Sequence, residues 1–245
     1  MKAKLCLIAL VAVFSFTSCE DDEDDQPAPI VNTDPTPMPD PAPNPIVFDN
    51  YAGSLIAVQS ASSTIAGTIN IGTAVGAFVD ESGNSISVGY ITCEGQQLSM
   101  AANNAYTFTP GFLSPTGIEF TGAVNWDITG GNGIPGTTFE NRNGFSTVSA
   151  ISSGATVDKS EGYILTTPSI SNADSVIFMV GNVIKVRAGS TTSYTFSSSE
   201  LSQLQNGTNV ASIAPYNFRA AFATTYGNVY AVNEKVVQIT VNIQD

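Results

Sequence analysis

The sequence predicts an all-β protein: two tandem β-sandwich domains behind a signal peptide and a disordered, proline-rich linker. Three observations lead there. From residue 48 onward, short segments alternate apolar and polar residues, the period of a strand with one buried face. Turn residues punctuate them, as in "DESGN", "GGNGIPG", "NRNG", "YGN" and "QNG". One stretch is also written twice. Residues 84–109 lie over 172–197 without a gap, placing Asn84 on Asn172, Ser87-Val88 on Ser175-Val176 and Tyr106-Thr107-Phe108 on Tyr194-Thr195-Phe196.

The N-terminus is read before the fold. "MKAKLCLIALVAVFSFTSC" has two lysines and then an apolar run from Leu5 to Phe16, the layout of a secretion signal. The run is shorter than the roughly 20 residues a spanning helix needs. It ends at Phe16-Thr17-Ser18-Cys19, which resembles a bacterial lipobox with Phe in place of the usual Leu three before the cysteine. That resemblance makes 1–19 a lipoprotein signal peptide and Cys19 the acylated first residue of the mature chain. The implied partner is the membrane, held through acyl chains on Cys19.

Residues 20–47 form the linker. "EDDEDD" follows Cys19 at once, and a run of like charges stays solvated. It also resembles the acidic export tags of Bacteroidota-type surface lipoproteins, which implies an outer-membrane, surface-exposed location. "DPTPMPDPAPNP", Asp34 to Pro45, has a proline at nearly every second position, which favours an extended polyproline II chain. Eight of the 21 acidic residues lie in this linker, so the net charge of -13 overstates the charge of the folded part. With no basic patch to neutralise phosphates, nucleic acid is excluded as a partner.

The folded part divides into a first sandwich, 48–150, and a second, 151–245, joined near "SAISSG". The strands expected are "STIAGTINIG", "TAVGAFVD", "SISVGYITC", "AYTFT", "GIEFTGAVNWDIT", "GYILTT", "SVIFMVG", "VIKVRAG", "SYTFS", "TNVASIA", "NFRAAFATT", "NVYAVN" and "KVVQITVNI". In the fifth, Ile118, Phe120, Val124, Trp126 and Ile128 share one parity, with Glu119, Asn125 and Asp127 on the other. Trp126 is therefore expected in the core. In "SSSELSQLQNG", Ser197 stands three before Glu200, the capping-box spacing, so one helical turn is expected there with Gly207 as its stop. "YTF" followed by such a turn resembles the crossing between sheets in immunoglobulin-like domains found in tandem on bacterial surface lipoproteins. The resemblance covers 48–245, implies two seven-stranded sandwiches, and carries no catalytic motif.

Candidate chemistry is sparse. The chain has no histidine, which removes Ser-His-Asp and Cys-His catalysis. Lys159, Lys185 and Lys235 are expected to be hydrated, leaving no Ser-Lys dyad. Glu119 and Asp127 are roughly 26 Å apart along an extended chain at about 3.3 Å per residue, too far for a glycosidase pair. Cys93 has no disulfide partner and reads as a small buried side chain. "DESGN" around Asp80 and "DITGGNG" around Asp127 hold loop oxygens of the kind calcium takes, without an established spacing. "TTYGNVY" places Tyr226, Asn228 and Tyr230 at a hairpin tip suited to a glycan or protein ligand. Asp174-Ser175-Val176 resembles a short O-glycosylation acceptor. The reading is a non-enzymatic, lipid-anchored binding or adhesion module that needs no cofactor. Its alternatives are a structural spacer in an envelope complex and a carboxylate-based glycan hydrolase.

Overall fold

The structure, a computed structural model, describes residues 50–64, 67–112 and 114–245. The signal segment, Cys19 and the linker lie outside these residues. Chain order gives β1 (Tyr51–Thr64), β2 (Gly67–Phe78), β3 (Ile91–Cys93), β4 (Gln96–Gln97), β5 (Ser99–Met100), β6 (Tyr106–Phe108), β7 (Val124–Ile128), β8 (Thr137–Asn141) and β9 (Thr147–Val148). There follow β10 (Thr156–Asp158), β11 (Tyr163–Thr166), β12 (Ile170–Ser171), β13 (Ser175–Val180), β14 (Val183–Ala188), β15 (Ser193–Phe196), α1 (Ser198–Leu201), β16 (Gly207–Thr224) and β17 (Gly227–Gln244). The chain is all-β, as expected. No described helix is long and apolar enough to cross a membrane.

Nine strands make one sheet in the order β14-β13-β16-β17-β1-β2-β6-β5, with β10 beside the far end of β17. β1 and β10 run parallel to β17 and the other pairings are antiparallel. A four-stranded sheet, β4-β3-β7-β8, covers the first half, and the pair β11-β15 covers the second. Two apolar cores result. The first packs Leu55, Phe78, Ile91, Tyr106, Trp126 and Ile128; the second packs Leu165, Phe178, Phe196, Leu201, Ile213 and Ile243. Alternation explains the first directly: along β7, Val124, Trp126 and Ile128 are buried while Asn125 and Asp127 are exposed.

Several expected strands differ in extent. "STIAGTINIG" spans the junction of β1 and β2, and the strand before it, Tyr51 onward, went unread. "GIEFTGAVNWDIT" is strand only over Val124–Ile128, although Ile118 and Phe120 keep their buried parity and Glu119 is exposed. "TNVASIA" and "NFRAAFATT" are one 18-residue strand, β16, and "NVYAVN" and "KVVQITVNI" are another, β17. Asn233-Glu234 looks like a break in the sequence, yet it sits mid-strand with both residues buried.

These two long strands tie the halves together. The described residues form one compact unit, and the expected join at 149–154 falls between the two cores. The turn end of the β16–β17 hairpin nevertheless enters the first core through Phe222, Tyr226 and Val229. A register shift between Ala220 and Phe222 turns Phe222 onto that face, the usual effect of a bulge. Between the cores runs a polar seam. Asn141 Nδ2 donates to Asn233 Oδ1 at 3.0 Å, and Asn233 Nδ2 donates to the Gly144 carbonyl at 2.8 Å. Asn217 Nδ2 reaches the same carbonyl at 3.0 Å. These paired amide groups favour one register, because a slipped strand would leave the Asn141–Asn233 bond and the Gly144 carbonyl unmatched.

The helical turn forms as its sequence dictates. Glu200 N–H donates to Ser197 Oγ at 3.4 Å, and Ser197 N–H donates to Glu200 Oε2 at 2.9 Å. Burial alone would raise the Glu200 carboxyl. The Lys185 ammonium, the Ser197 backbone and the Tyr194 hydroxyl outweigh it and hold the group down at about 2. Leu201 anchors the turn in the second core.

Candidate binding surface

The hairpin tip does not gather its aromatic rings at the surface. Tyr226 is half-buried and lies against Gly133, where a Cβ would stand 2.5 Å from the phenol oxygen. Gly133 has φ +85°, so both the close approach and the backbone require glycine there. Tyr230 is buried on the sheet, and Asn228 is partly buried where its N–H meets the Asn50 carbonyl. The two rings therefore serve different layers.

Asp80 is occupied by its own turn. Its Oδ1 accepts from Ser82 N–H at 2.8 Å and Asn84 N–H at 2.9 Å, while Oδ2 accepts from Asn84 Nδ2 at 3.1 Å. The bonds with Asn84, first of all, hold this carboxyl below its ordinary range. Asp127 stands exposed in a row with Thr92 and Thr138. Among the described residues no three His, Cys, Asp or Glu side chains converge as a metal-binding group. Cys93 is fully buried in the first core, and burial, then the nearby Glu94, pushes its thiol far above the ordinary range.

The lysines are not hydrated as expected. Lys159 Nζ meets Asp245 Oδ1 at 2.7 Å, Lys185 pairs with Glu200, and Lys235 donates to Asn70 Oδ1 at 2.8 Å. The turn "DKSEG" pointed Lys159 to solvent and strand parity pointed Lys185 and Lys235 there, but a carboxylate or amide lay across the chain. Ser175 is fully buried, so the Asp174-Ser175-Val176 acceptor pattern points inward.

The surface feature the sequence reading missed is Tyr90. Its ring is 66% exposed beside Met100, itself 55% exposed. Together with Gly89, Gln97, Leu98, Ser99 and Tyr106 they line an open hollow of about 510 Å³. The backbone beneath is fixed. Val88 N–H donates to the buried Tyr106 hydroxyl at 2.8 Å, and Tyr90 N–H donates to Thr129 Oγ1 at 2.8 Å. Gly89 has φ +79°, and a Cβ there would stand 2.3 Å from Thr129 Oγ1. An exposed aromatic face, a thioether and the exposed Gln97 and Ser99 can stack and hydrogen-bond a ring-shaped ligand. "SVGYIT" signalled a strand, and only the exposure of Tyr90 just before β3 reveals the presented ring.

A second hollow of about 530 Å³ lies on the outer face of the four-stranded sheet, lined by Thr92, Asn125, Asp127, Thr138, Phe139 and Glu140 among others. Asp127 and Glu140 are diagonal neighbours on adjacent strands, a separation of roughly 7–8 Å. Both are exposed, and Glu140 Oε2 accepts from Arg142 Nε at 2.7 Å.

Fold and surface together define an all-β protein of stacked sheets with an exposed tyrosine beside an open hollow. No family model, curated protein or solved structure matches the chain.

Proposed function

We propose that this is a non-enzymatic, lipid-anchored cell-envelope protein, in which two immunoglobulin-like sandwiches on a stalk present a binding surface for a glycan or a protein. Strand order supports the sandwich reading. Immunoglobulin-type domains place strands A, B, E and D in one sheet and C, F and G in the other, with C′ extending the latter. β1-β2-β6-β5 follows A-B-E-D, and β4-β3-β7-β8 follows C′-C-F-G. In the second half β11-β15 follows B-E, β14-β13-β16-β17 follows C′-C-F-G, and α1 occupies the E–F crossing. The sequence repeat agrees, since its matched "YTF" triplets are β6 and the end of β15. Lipid anchoring and surface exposure rest on the lipobox resemblance at Cys19 and the acidic run after it.

The observation that carries the binding reading is the exposed Tyr90 ring, set on a hydrogen-bonded backbone beside its hollow. Glycan and protein arrays probed with the full chain test it: a ligand retained by the wild type and lost by Tyr90→Ala supports the reading. A chain that retains no ligand moves the spacer role ahead. Hydrolysis of a retained glycan, abolished by Asp127→Asn, moves the carboxylate hydrolase ahead. Radiolabelled palmitate incorporated by the wild type and refused by Cys19→Ala tests the anchor.

A further inference from the structure

The hollow beside Tyr90 is lined without charge: none of its residues is Asp, Glu, Lys or Arg, whereas the second hollow holds Asp127 and Glu140. Neutrality extends along the chain. Between Glu81 and Glu119 the sequence has a single charged residue, Glu94, and its Oε1 accepts from Asn125 N–H at 2.6 Å and from Asn125 Nδ2 at 3.2 Å. Leu98 and Tyr106 are buried parts of the wall, exposed Tyr90 and Met100 offer apolar area, and exposed Gln97 and Ser99 offer hydrogen bonds. Neither of these two polar side chains has a hydrogen-bond partner among the described residues.

We infer that the hollow takes a ring of a neutral hexose glycan, with the ring's apolar C–H face against Tyr90 and Met100 and its hydroxyls against the Gln97 amide and the Ser99 hydroxyl. The inference rests on the reading of Tyr90 as a binding surface and narrows it to one class of ligand. Volume, hydrogen bonding and charge select that class. The hollow's volume of about 510 Å³ lies inside the roughly 300–1,000 Å³ of small-ligand sites. An amide and a hydroxyl both donate and accept, which matches ring hydroxyls that do the same. Phosphorylated, sulfated or uronic-acid ligands bring negative charge that no lining cation offsets, to a fold whose acidic residues outnumber its basic ones by 13 to six over 48–245. Peptides fit less well. A peptide that adds a strand needs a run of free main-chain groups. The edge here is β5, two residues long, and the chain changes sheets just before it, where Leu98 N–H donates to the Ile91 carbonyl at 2.9 Å. A protein docking through side chains needs roughly 800 Å² per partner, and Tyr90 and Met100 are the only exposed large apolar side chains of the lining.

Saturation-transfer NMR on the full chain tests this, with neutral gluco-, manno- and galacto-oligosaccharides set beside their uronic-acid and sulfated counterparts. A neutral oligosaccharide should bind about tenfold more tightly than its uronic-acid counterpart, and Gln97→Ala should weaken it about tenfold, the scale of one hydrogen bond. Tyr90→Ala should abolish the transfer. Both positions are exposed, and Trp126 emission, set by the first core, reports that each variant is folded. Gln97→Lys should turn the preference toward the uronic-acid sugar, because it places a cation on a wall that has none. An acidic glycan held by the wild type as tightly as the neutral one, and lost with Tyr90→Ala, overturns the neutral-sugar inference and leaves the binding surface standing. A protein retained through Tyr90 while no sugar binds does the same. Transfer to a neutral sugar that survives Tyr90→Ala overturns both, since the sugar then sits elsewhere, and a chain that retains no ligand overturns both as well.

Discussion

The two faces of the nine-stranded sheet bury their residues by different means. On one face Phe178, Ile213 and Val241 interlock with β11, β15 and α1, and Leu55 and Phe78 with the four-stranded sheet. On the other, Ile177, Tyr216 and Val232 come from alternate positions of the same strands, yet no described sheet is stacked over them. Removing volume separates the two. Phe178→Ala opens a cavity in an interlocked core and should cost about 4 kcal/mol, against about 2 kcal/mol for Ile177→Ala. Urea denaturation of both variants measures the gap; equal losses would mean the second face is packed as closely as the first.

The second face also holds a carboxyl, which the core face avoids. Burial of Glu234 raises its carboxyl from the ordinary 4.5 to about 7. A raised folded-state value means the native chain holds the proton more tightly than the unfolded one. Stability is therefore full below pH 4.5, falls as pH rises toward 7, and stays at the lower level above it. The difference corresponds to about 3 kcal/mol. Glu234→Gln should erase this dependence, matching the wild type at pH 4 and exceeding it at pH 8 in urea titrations. A wild-type profile that is flat between pH 4.5 and 7 would show the carboxyl to be hydrated.

The seam sharpens the contrast within the core face, where polar pairing replaces apolar packing between the two cores. Asn233→Ala strands the Asn141 amide and withdraws a donor from the Gly144 carbonyl, for a loss of about 2 kcal/mol. A double-mutant cycle with Asn141→Ala should recover part of that loss, since both ends of the bond are then gone.

Sequence periodicity was clear where a strand has one wet face and silent where a strand of the nine-stranded sheet is buried on both. Val124-Asn125-Trp126-Asp127-Ile128 alternates because β7 has one wet face, and Trp126 fell where its parity placed it. "SVIFMV" is buried at all six positions, and a continuous apolar run is the mark of a strand covered on both sides. Asn233-Glu234 read as punctuation because polarity in a strand looks like a turn until its partners, Asn141 and Gly144, arrive from far along the chain. The capping box of α1 was legible because Ser197 and Glu200 are both local. Tyr90 was not, because its exposure depends on a loop that Tyr106 and Thr129 hold from elsewhere.

That local signal makes a smaller prediction. Ser197→Ala removes the oxygen that accepts the Glu200 N–H, and a lost cap costs about 1 kcal/mol. Because Leu201 of the same turn is in the second core, the loss should appear in global unfolding. A loss confined to local opening, seen by hydrogen exchange at 198–204 alone, would show that the turn is not coupled to the core faces.

The smallest effect on stability belongs to Tyr90, on which the proposed binding surface rests. Tyr90 lies outside both cores, so Tyr90→Ala should move the unfolding midpoint by no more than about 0.5 kcal/mol, the range of ordinary surface changes. A large exposed ring beside a hollow offers much of the stacking area a ligand could use, so its removal should weaken binding about tenfold or more. Stability unchanged with affinity lost places Tyr90 on a surface the fold does not need for itself. A large stability loss instead would show that the ring packs, and would move the candidate surface to the outer face around Asp127, where the exposed acids and threonines of the four-stranded sheet would have to supply recognition without an aromatic anchor.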